Sequence, residues 1–494
     1  MLVTAHQMKA AEEIAFRQGS SPSVLMEVAG EGIARCIRQF FPIPGTAIVV
    51  CGKGHNGGDA LVAARNLALE GWRILLRLAA PIDKLASLTR TQLAELTDVE
   101  IIEAAAKIID DIKQPLILLD GLLGIGSTGA PRGTLANLIR VMNQMREQSG
   151  GFTVAVDLPS GLDATTGEVF DPCVQADLTI TLGAVKTGLV DDRATGVVGR
   201  VAVIPLPGVS FPEGDSVGVA TAGLLRPRLP VRNFDSYKGT YGRIGILAGS
   251  RGTLGAARLS SAAAVHAGGG LVSLYALPDC FELLASLCIP EVMVKPISSY
   301  REVLGTQHDV LAIGPGLGRD HDGDILAIIR ESTLPCVVDA DALNAVSTDP
   351  SLLLQCAGTR LLTPHPGEME RLFLQAGRTR REWAEEFIAR YPVTLLLKGA
   401  RTIIAQRGSD ISFNTTGNPG MGSGGMGDVL TGVCAALIGS GHPPRDAAIL
   451  GAWLCGRAAE IAIFNGKDSQ ESLSATSVIE HLGVAARSLR AGDF

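Results

Sequence analysis

Short runs of Val, Ile and Leu recur along this chain with Ala-rich stretches of helical periodicity between them: Ala47–Cys51, Ile74–Leu76, Leu116–Asp120 and Val154–Asp157, then Arg243–Ala248, Leu311–Gly314, Val337–Asp339, Arg360–Thr363 and Val393–Leu397. Runs this short and this apolar read as strands buried on both faces, and parallel neighbours of that kind need a helix to carry the chain back. The expected class is α/β. A chain of 494 residues is too long for one typical core. The stretch 205–242 is dense in Pro and Gly, with turn pairs such as Phe211-Pro212-Glu213-Gly214, and reads as the join. The expected division is therefore 1–212 and 226–494 with a linker at 213–225. Two helical stretches, about 5–18 and 23–39, precede the first strand and are expected on the outside of its sheet.

Composition narrows the partners. The formal charge is −7 and Lys and Arg do not cluster, which argues against binding nucleic acid through its phosphates and favours small molecules. Nine cysteines are scattered without CxxC pairs, which suggests reduced thiols and a cytoplasmic setting. Cys51 and Cys336 lie inside apolar runs and read as buried small hydrophobes. The first residues carry acids and no central apolar core, unlike a secretory signal, and no apolar run reads as long enough to span a bilayer. No membrane partner is expected; a homo-oligomer is.

In α/β sheets ligands gather at the carboxyl ends of strands, where most of the distinctive Gly and Asp residues fall. Segment 418–428, NPGMGSGGMGD, precedes the helix-like run 429–437. Gly422, Gly424, Gly425 and Gly427 let backbone N–H groups turn toward a ligand, and the helix points its positive end the same way, so the segment describes an anion hole suited to phosphate. A carboxylate beside phosphate is costly unless it works, and Asp428 is suited to take a proton from an attacking hydroxyl. In the first half, Gly52-Lys-Gly-His-Asn-Gly-Gly-Asp59 follows a strand and precedes a helix expected from Ala60, making a second anion nest outside the usual nucleotide patterns. Asp120–Gly129 and Asp157–Asp163 are further strand-end loops. Asn56, Asp120 and Ser160 supply oxygen atoms of the kind that bind a hard cation, whereas His and Cys do not recur at zinc spacing. Singly, each of these three also suits an Asx-turn or a helix cap.

The segments GKGHNGGDALVAARNL, LLDGLLGIGSTG and AVDLPSGLDATTG closely resemble the NAD(P)HX epimerase family, which interconverts the epimers of hydrated NADH and NADPH. The resemblance covers nearly all of the first half and implies a Rossmann-like three-layer domain. It implies substrate contacts at His55, Asn56, Gly57, Gly58 and Asp59, a phosphate cradle of Gly124, Ile125, Gly126, Ser127, Thr128, Gly129 and Ala130, potassium on Asn56, Asp120 and Ser160, and Asp157 as acid/base. His55 and Ala60 stand where that family commonly has Asn and Gly; neither change removes a carboxylate or a potassium ligand.

The second half, through Tyr237–Gly242, Gly249–Ala256, Gly314–Gly318, Asp339–Asn344, Thr363–Met369, Lys398–Thr402 and the loop ending at Asp428, resembles the ADP/ATP-dependent NAD(P)HX dehydratase family of the ribokinase-like superfamily, an α/β/α fold. This implies hydrated substrate at Ala256, Gly316, Gly318, His365 and Asp428. ADP would lie on Lys398, Gly399, Ala400, Arg401, Thr402, Asn418, Gly420, Gly422, Ser423, Gly424, Gly425, Met426 and Gly427, with Mg2+ bridging the phosphates and Asp428 as base. Lys398 would steady a phosphate as a point charge. His365 also suits simple capping of a helix start. The two families fused in this order resemble a bifunctional repair family for hydrated nicotinamide nucleotides, with ADP as the implied co-substrate. Phosphorylating the hydroxyl of the hydrate would convert hydroxide, a poor leaving group, into phosphate. The alternatives are a small-alcohol, vitamin-precursor kinase with an N-terminal binding module, and a first half that is a scaffold without activity.

Overall fold

The computed structural model describes residues 1–97, 99–102, 112–211, 218–374 and 377–494. The chain forms two compact units, Met1–Thr221 with Asp493–Phe494, and Ala222–Gly492. Residues 213–217 of the expected linker lie outside the described residues, and the units divide at Thr221, within the rest of it.

The first unit holds a parallel sheet in the order Glu100–Ile101, Arg73–Leu78, Thr46–Cys51, Leu116–Gly121, Phe152–Val156, Leu178–Leu182, Arg200–Ile204. The apolar runs form its middle. The strands at Leu178 and Arg200 were not among the expected runs. The first of them, LTITL, alternates with Thr as a half-exposed strand would, yet Thr179 and Thr181 are fully buried, and Thr179 satisfies its hydroxyl by donating to the Val198 carbonyl at 2.7 Å. Helix Thr134–Ser149 packs Leu138, Ile139, Met142 and Met145 on Ile48, Val50, Leu116 and Leu118 of one sheet face. Helices Pro22–Phe40 and His55–Leu69 pack on each other through Gly30, where a Cβ would lie 2.4 Å from that of Val62. A two-residue strand, Leu2–Val3, pairs in parallel with Val185–Lys186 and leads into helix Ala5–Arg17.

In the second unit the strands run Ser412–Asn414, Thr402–Gln406, Thr394–Leu397, Arg360–Leu362, Cys336–Val338, Val310–Ile313, Arg243–Leu247, Leu271–Ala276, Val292–Pro296. All pair in parallel except the first two, which turn antiparallel at one side. The expectation that no apolar run reaches bilayer length is corrected here: helix Pro444–Phe464 is long and apolar enough, with a mean hydropathy of 1.5 over its 18-residue window, 89% of which is buried within the fold. Its apolar character serves core packing on all sides.

Candidate active sites

In the first unit, neighbouring strands end at Cys51, Gly121, Val156 and Leu182, so the loops that follow share one edge of the sheet. The glycines after Cys51 prove to be helix rather than turn: helix His55–Leu69 begins five residues before the expected Ala60. Packing demands them. A Cβ on Gly57 would lie 2.3 Å from the Gly52 carbonyl oxygen, and one on Gly58 would lie 2.4 Å from Met26 Cε. No side chain caps this helix; Gly57 N and Gly58 N donate to the Gly54 carbonyl at 3.1 and 3.4 Å, and the N–H groups of His55 and Asn56 stay available to an anion. His55 is exposed, whereas Asp59 is buried. Segment 124–130 forms an open loop, closed locally by Ser127 donating to the Gly124 carbonyl from both its backbone N (3.0 Å) and its hydroxyl (2.9 Å).

Asn56, Asp120 and Ser160 come together. Ser160 donates to Asp120 through its backbone N (2.8 Å) and its hydroxyl (2.7 Å), Leu122 N donates at 3.1 Å, and Asn56 Nδ2 donates to the Leu123 carbonyl at 2.9 Å. Asp120 is fully buried and all these donors are neutral. Burial pushes its carboxyl up to about 6, against the lowering effect of the Ser160 and Leu122 hydrogen bonds.

Asp157 leaves the end of its strand with φ of +66°, a left-handed geometry that costs a non-glycine residue energy and marks a constrained position. Its Oδ1 accepts from Lys186 Nζ, from Leu182 N at 3.0 Å and from Thr181 Oγ1 at 3.2 Å. Lys186 is completely buried and also donates to Thr181 Oγ1 (3.1 Å) and the Leu182 carbonyl (2.8 Å). Sequence reasoning missed Lys186. Its one signal was a lysine shortly after an apolar run, between Gly183 and Gly188.

In the second unit, loops after five consecutive strands meet at one edge, at Ser250, Gly314, Asp339, Thr363 and Lys398. Lys398 Nζ donates to Asp339 Oδ1 at 2.8 Å and lies 3.7 Å from Glu368 Oε2. Asp339 is buried and also accepts from Thr431 Oγ1 at 2.9 Å. Burial works against the lysine charge, but Asp339, Glu368 and Asp428 together hold its ammonium above the ordinary lysine range. Asp428 sits in the first turn of helix Met426–Gly439, which starts at Gly425 with φ of +88° and no side-chain cap. Burial and the nearby Asp339 charge push its carboxyl up to about 6, with Lys398 pulling the other way. The glycine loop before it is pinned by Asn418, which accepts from Gly420 N at 2.9 Å, and by Ser423, which donates to the Leu473 carbonyl at 3.2 Å. A Cβ on Gly427 would lie 3.3 Å from Lys398 Nζ, so helix start and lysine adjoin.

Ala256, Gly316 and Gly318 converge as well. Ser250 and Thr253 hydroxyls donate to the Gly316 carbonyl at 2.9 and 2.7 Å, a Cβ on Gly316 would lie 3.0 Å from that of Ala256, and Gly318 N donates to Asp341 Oδ2 at 2.9 Å. His365 caps helix Pro366–Leu372: its ring accepts from Glu368 N at 3.3 Å while Glu368 returns a bond to His365 N at 2.8 Å, which aims the glutamate at Lys398. In the turn at 399–402, Thr402 Oγ1 donates to the Gly399 carbonyl at 2.9 Å, Arg401 Nη1 to that of Ala400 at 3.4 Å, and Arg380 Nη2 to that of Lys398 at 3.0 Å. Asp339, Asp341, Glu368, Thr431 and Arg380 were not read as site residues, although three of them lie in motifs that drew attention.

Residues 22–188 match the family described as YjeF-related protein N-terminus, and residues 244–481 match NAD(P)H-hydrate dehydratase. The chain is 36% identical to the bifunctional NAD(P)H-hydrate repair enzyme of Moorella thermoacetica over 99% of its own length and 97% of that protein's. The chain belongs to the bifunctional NAD(P)H-hydrate repair family. The Escherichia coli member is 35% identical, over 88% of this chain and 84% of its own. A Bacillus subtilis ADP/ATP-dependent NAD(P)H-hydrate dehydratase, crystallised with ATP and Mg2+, is 27% identical with a TM-score of 0.48, over 56% of this chain and 100% of its own. Both halves of the repair family are thus present here, and each half has its own buried carboxylate beside a lysine, fully buried at Lys186 and half-buried at Lys398.

Proposed function

We propose that the first unit interconverts the R and S epimers of hydrated NADH and NADPH, and that the second dehydrates the S epimer with ADP, through transient phosphorylation of its hydroxyl, giving AMP and phosphate. The observation that carries the second half is Asp428, a carboxyl that ionises at about 6 and sits where an uncapped helix start meets Lys398. A base of that strength is ionised at neutral pH yet still able to take a hydroxyl proton as phosphate arrives. Gly422–Gly427 would hold the phosphoryl group. Lys398 is already paired with Asp339, so it would meet a phosphate as part of that pair rather than as a free charge.

Potassium fits Asn56, Asp120 and Ser160, because a buried Asp120 surrounded by neutral donors lacks a countercharge. Bound there, it would supply that charge beside the loop at 124–130. Magnesium fits the second site, where Asp339, Glu368 and Asp428 outnumber the one lysine among them; Glu368 would face the ion, which would neutralise phosphate charge and leave Asp428 free as the base. Free cysteines throughout the described residues support a cytoplasmic setting. Homo-oligomeric assembly completes the proposal.

The reading as a small-alcohol kinase with an N-terminal binding module is disfavoured by the full-length match to repair enzymes. The test is to mix both epimers of hydrated NADH with the protein and ADP, then ATP, and follow NADH absorbance. Full recovery is expected; a stable phosphorylated alcohol would overturn the proposal.

A further inference from the structure

We propose that Asp59 is the proton donor of the first site, working opposite the Asp157–Lys186 pair, a role that rests on the epimerase reading above. Asp59 is 9% exposed, and its carboxyl makes no hydrogen bond or ion pair among the described residues. A carboxyl so placed is held most cheaply as the neutral acid. Among the described residues the cation that acts on it is Lys186, whose three hydrogens are spent on Asp157 Oδ1, Thr181 Oγ1 and the Leu182 carbonyl. Asp157 therefore has an ammonium partner and Asp59 has none.

The N-terminal segment adds a third carboxyl. Val3 lies in register with Lys186, and the helix that follows places Met8 over Gly183, where a Cβ would lie 2.3 Å from Met8 Cε. Glu12 comes one turn later, in a stretch that precedes the matched family segment. Burial first, then the charges of Asp157 and Glu12, hold the Asp59 carboxyl well above the ordinary range, with Lys186 opposing. Two carboxyls in such unlike surroundings, one paired with an ammonium and one buried without a partner, are the arrangement acid–base chemistry needs.

Water added across an enamine bond of a dihydropyridine leaves a hydroxyl on the carbon next to the ring nitrogen. Inverting that carbon proceeds by opening the ring. Asp157 takes the hydroxyl proton, the freed electron pair forms a carbonyl, and the carbon–nitrogen bond breaks with its pair going to nitrogen, which receives the proton of Asp59. Rotation about the adjacent carbon–carbon bond turns the other face of the aldehyde to the nitrogen. Closure returns one proton to Asp59 and takes one from Asp157, so both groups end as they began.

The test uses the full chain and the pure R epimer. Asp59→Asn is expected to slow epimerisation by a factor of about 10² to 10⁴, while ADP-dependent dehydration of the S epimer is unchanged. In the unmodified protein epimerisation falls on the alkaline side as Asp59 ionises; Glu12, Asp157 and Lys186 are the other charged groups facing it. The residual rate of the variant lacks that limb. An Asp59→Asn rate within a few-fold of the parent, or an unmodified protein with no alkaline limb, overturns the inference; the second result needs no variant to fold. Failure of the unmodified protein to interconvert the epimers at all would instead overturn the epimerase reading.

Discussion

Replacing Asp428 with Asn should weaken the second activity and strengthen the fold at the same time. An aspartate in an unfolded chain ionises near 4, whereas here the carboxyl holds its proton up to about 6, first because it is buried and next because Asp339 is close. The folded state thus binds this proton more tightly than the unfolded one, so the stability contributed by this group is fully present below about pH 4 and is lost as pH rises to about 6. At about 1.4 kcal/mol per tenfold change in affinity, the charged carboxylate costs the fold up to about 3 kcal/mol at neutral pH. Partial exposure of the site makes that an upper bound. Asn has nothing to ionise and removes the repulsion with Asp339, while Lys398 keeps its bond to Asp339. Chemical unfolding of Asp428→Asn at pH 7.5 and at pH 4 should therefore show a gain at the higher pH that vanishes at the lower. ADP-dependent NADH recovery should drop about 10² to 10⁴-fold, and epimers should still interconvert. In the parent, recovery should halve near pH 6. A variant that loses stability at neutral pH, or that retains NADH recovery, refutes the reasoning.

Asp157→Ala should slow turnover of the R epimer alone; equal slowing of both epimers would count against separate sites. Lys186→Met leaves Asp157 buried with only Leu182 N and Thr181 Oγ1 as donors, so it should cost about 3 kcal/mol by chemical denaturation and abolish epimerisation. Unchanged epimerisation would remove Lys186 from the site. Gly425→Ala puts a Cβ at φ of +88°, 2.6 Å from Leu259 Cδ1; a loss of about 1–3 kcal/mol and a raised KM for ADP are expected, and an unaltered KM would detach this loop from the nucleotide.

Legibility followed the range of each interaction. Asp120, Asp157 and Asp428 stand out in the sequence because each lies beside a strand end or a glycine loop, and those signals are local. The glycines at 57 and 58 misled for the same reason: they resemble a turn, but what requires them is Met26 and the Gly52 carbonyl pressing on the helix. Lys186 and Glu12 gave little sign, because what makes them significant is a neighbour far along the chain. Asp339 and Glu368 lay in noticed segments, but nothing in those segments shows that both face Lys398.

The alternation of apolar runs and helical stretches determined by itself that this chain would build two mostly parallel sheets with Gly- and Asp-bearing loops at the carboxyl ends of their strands, since hydrophobic periodicity and turn chemistry act over a few residues. Only the tertiary structure decided which carboxyl shares a lysine and which does not. Charge state depends on burial and on distances through space, so Asp157 beside Lys186, Asp59 without a partner and Asp428 above the Asp339–Lys398 pair acquire their different characters only once the strands are side by side.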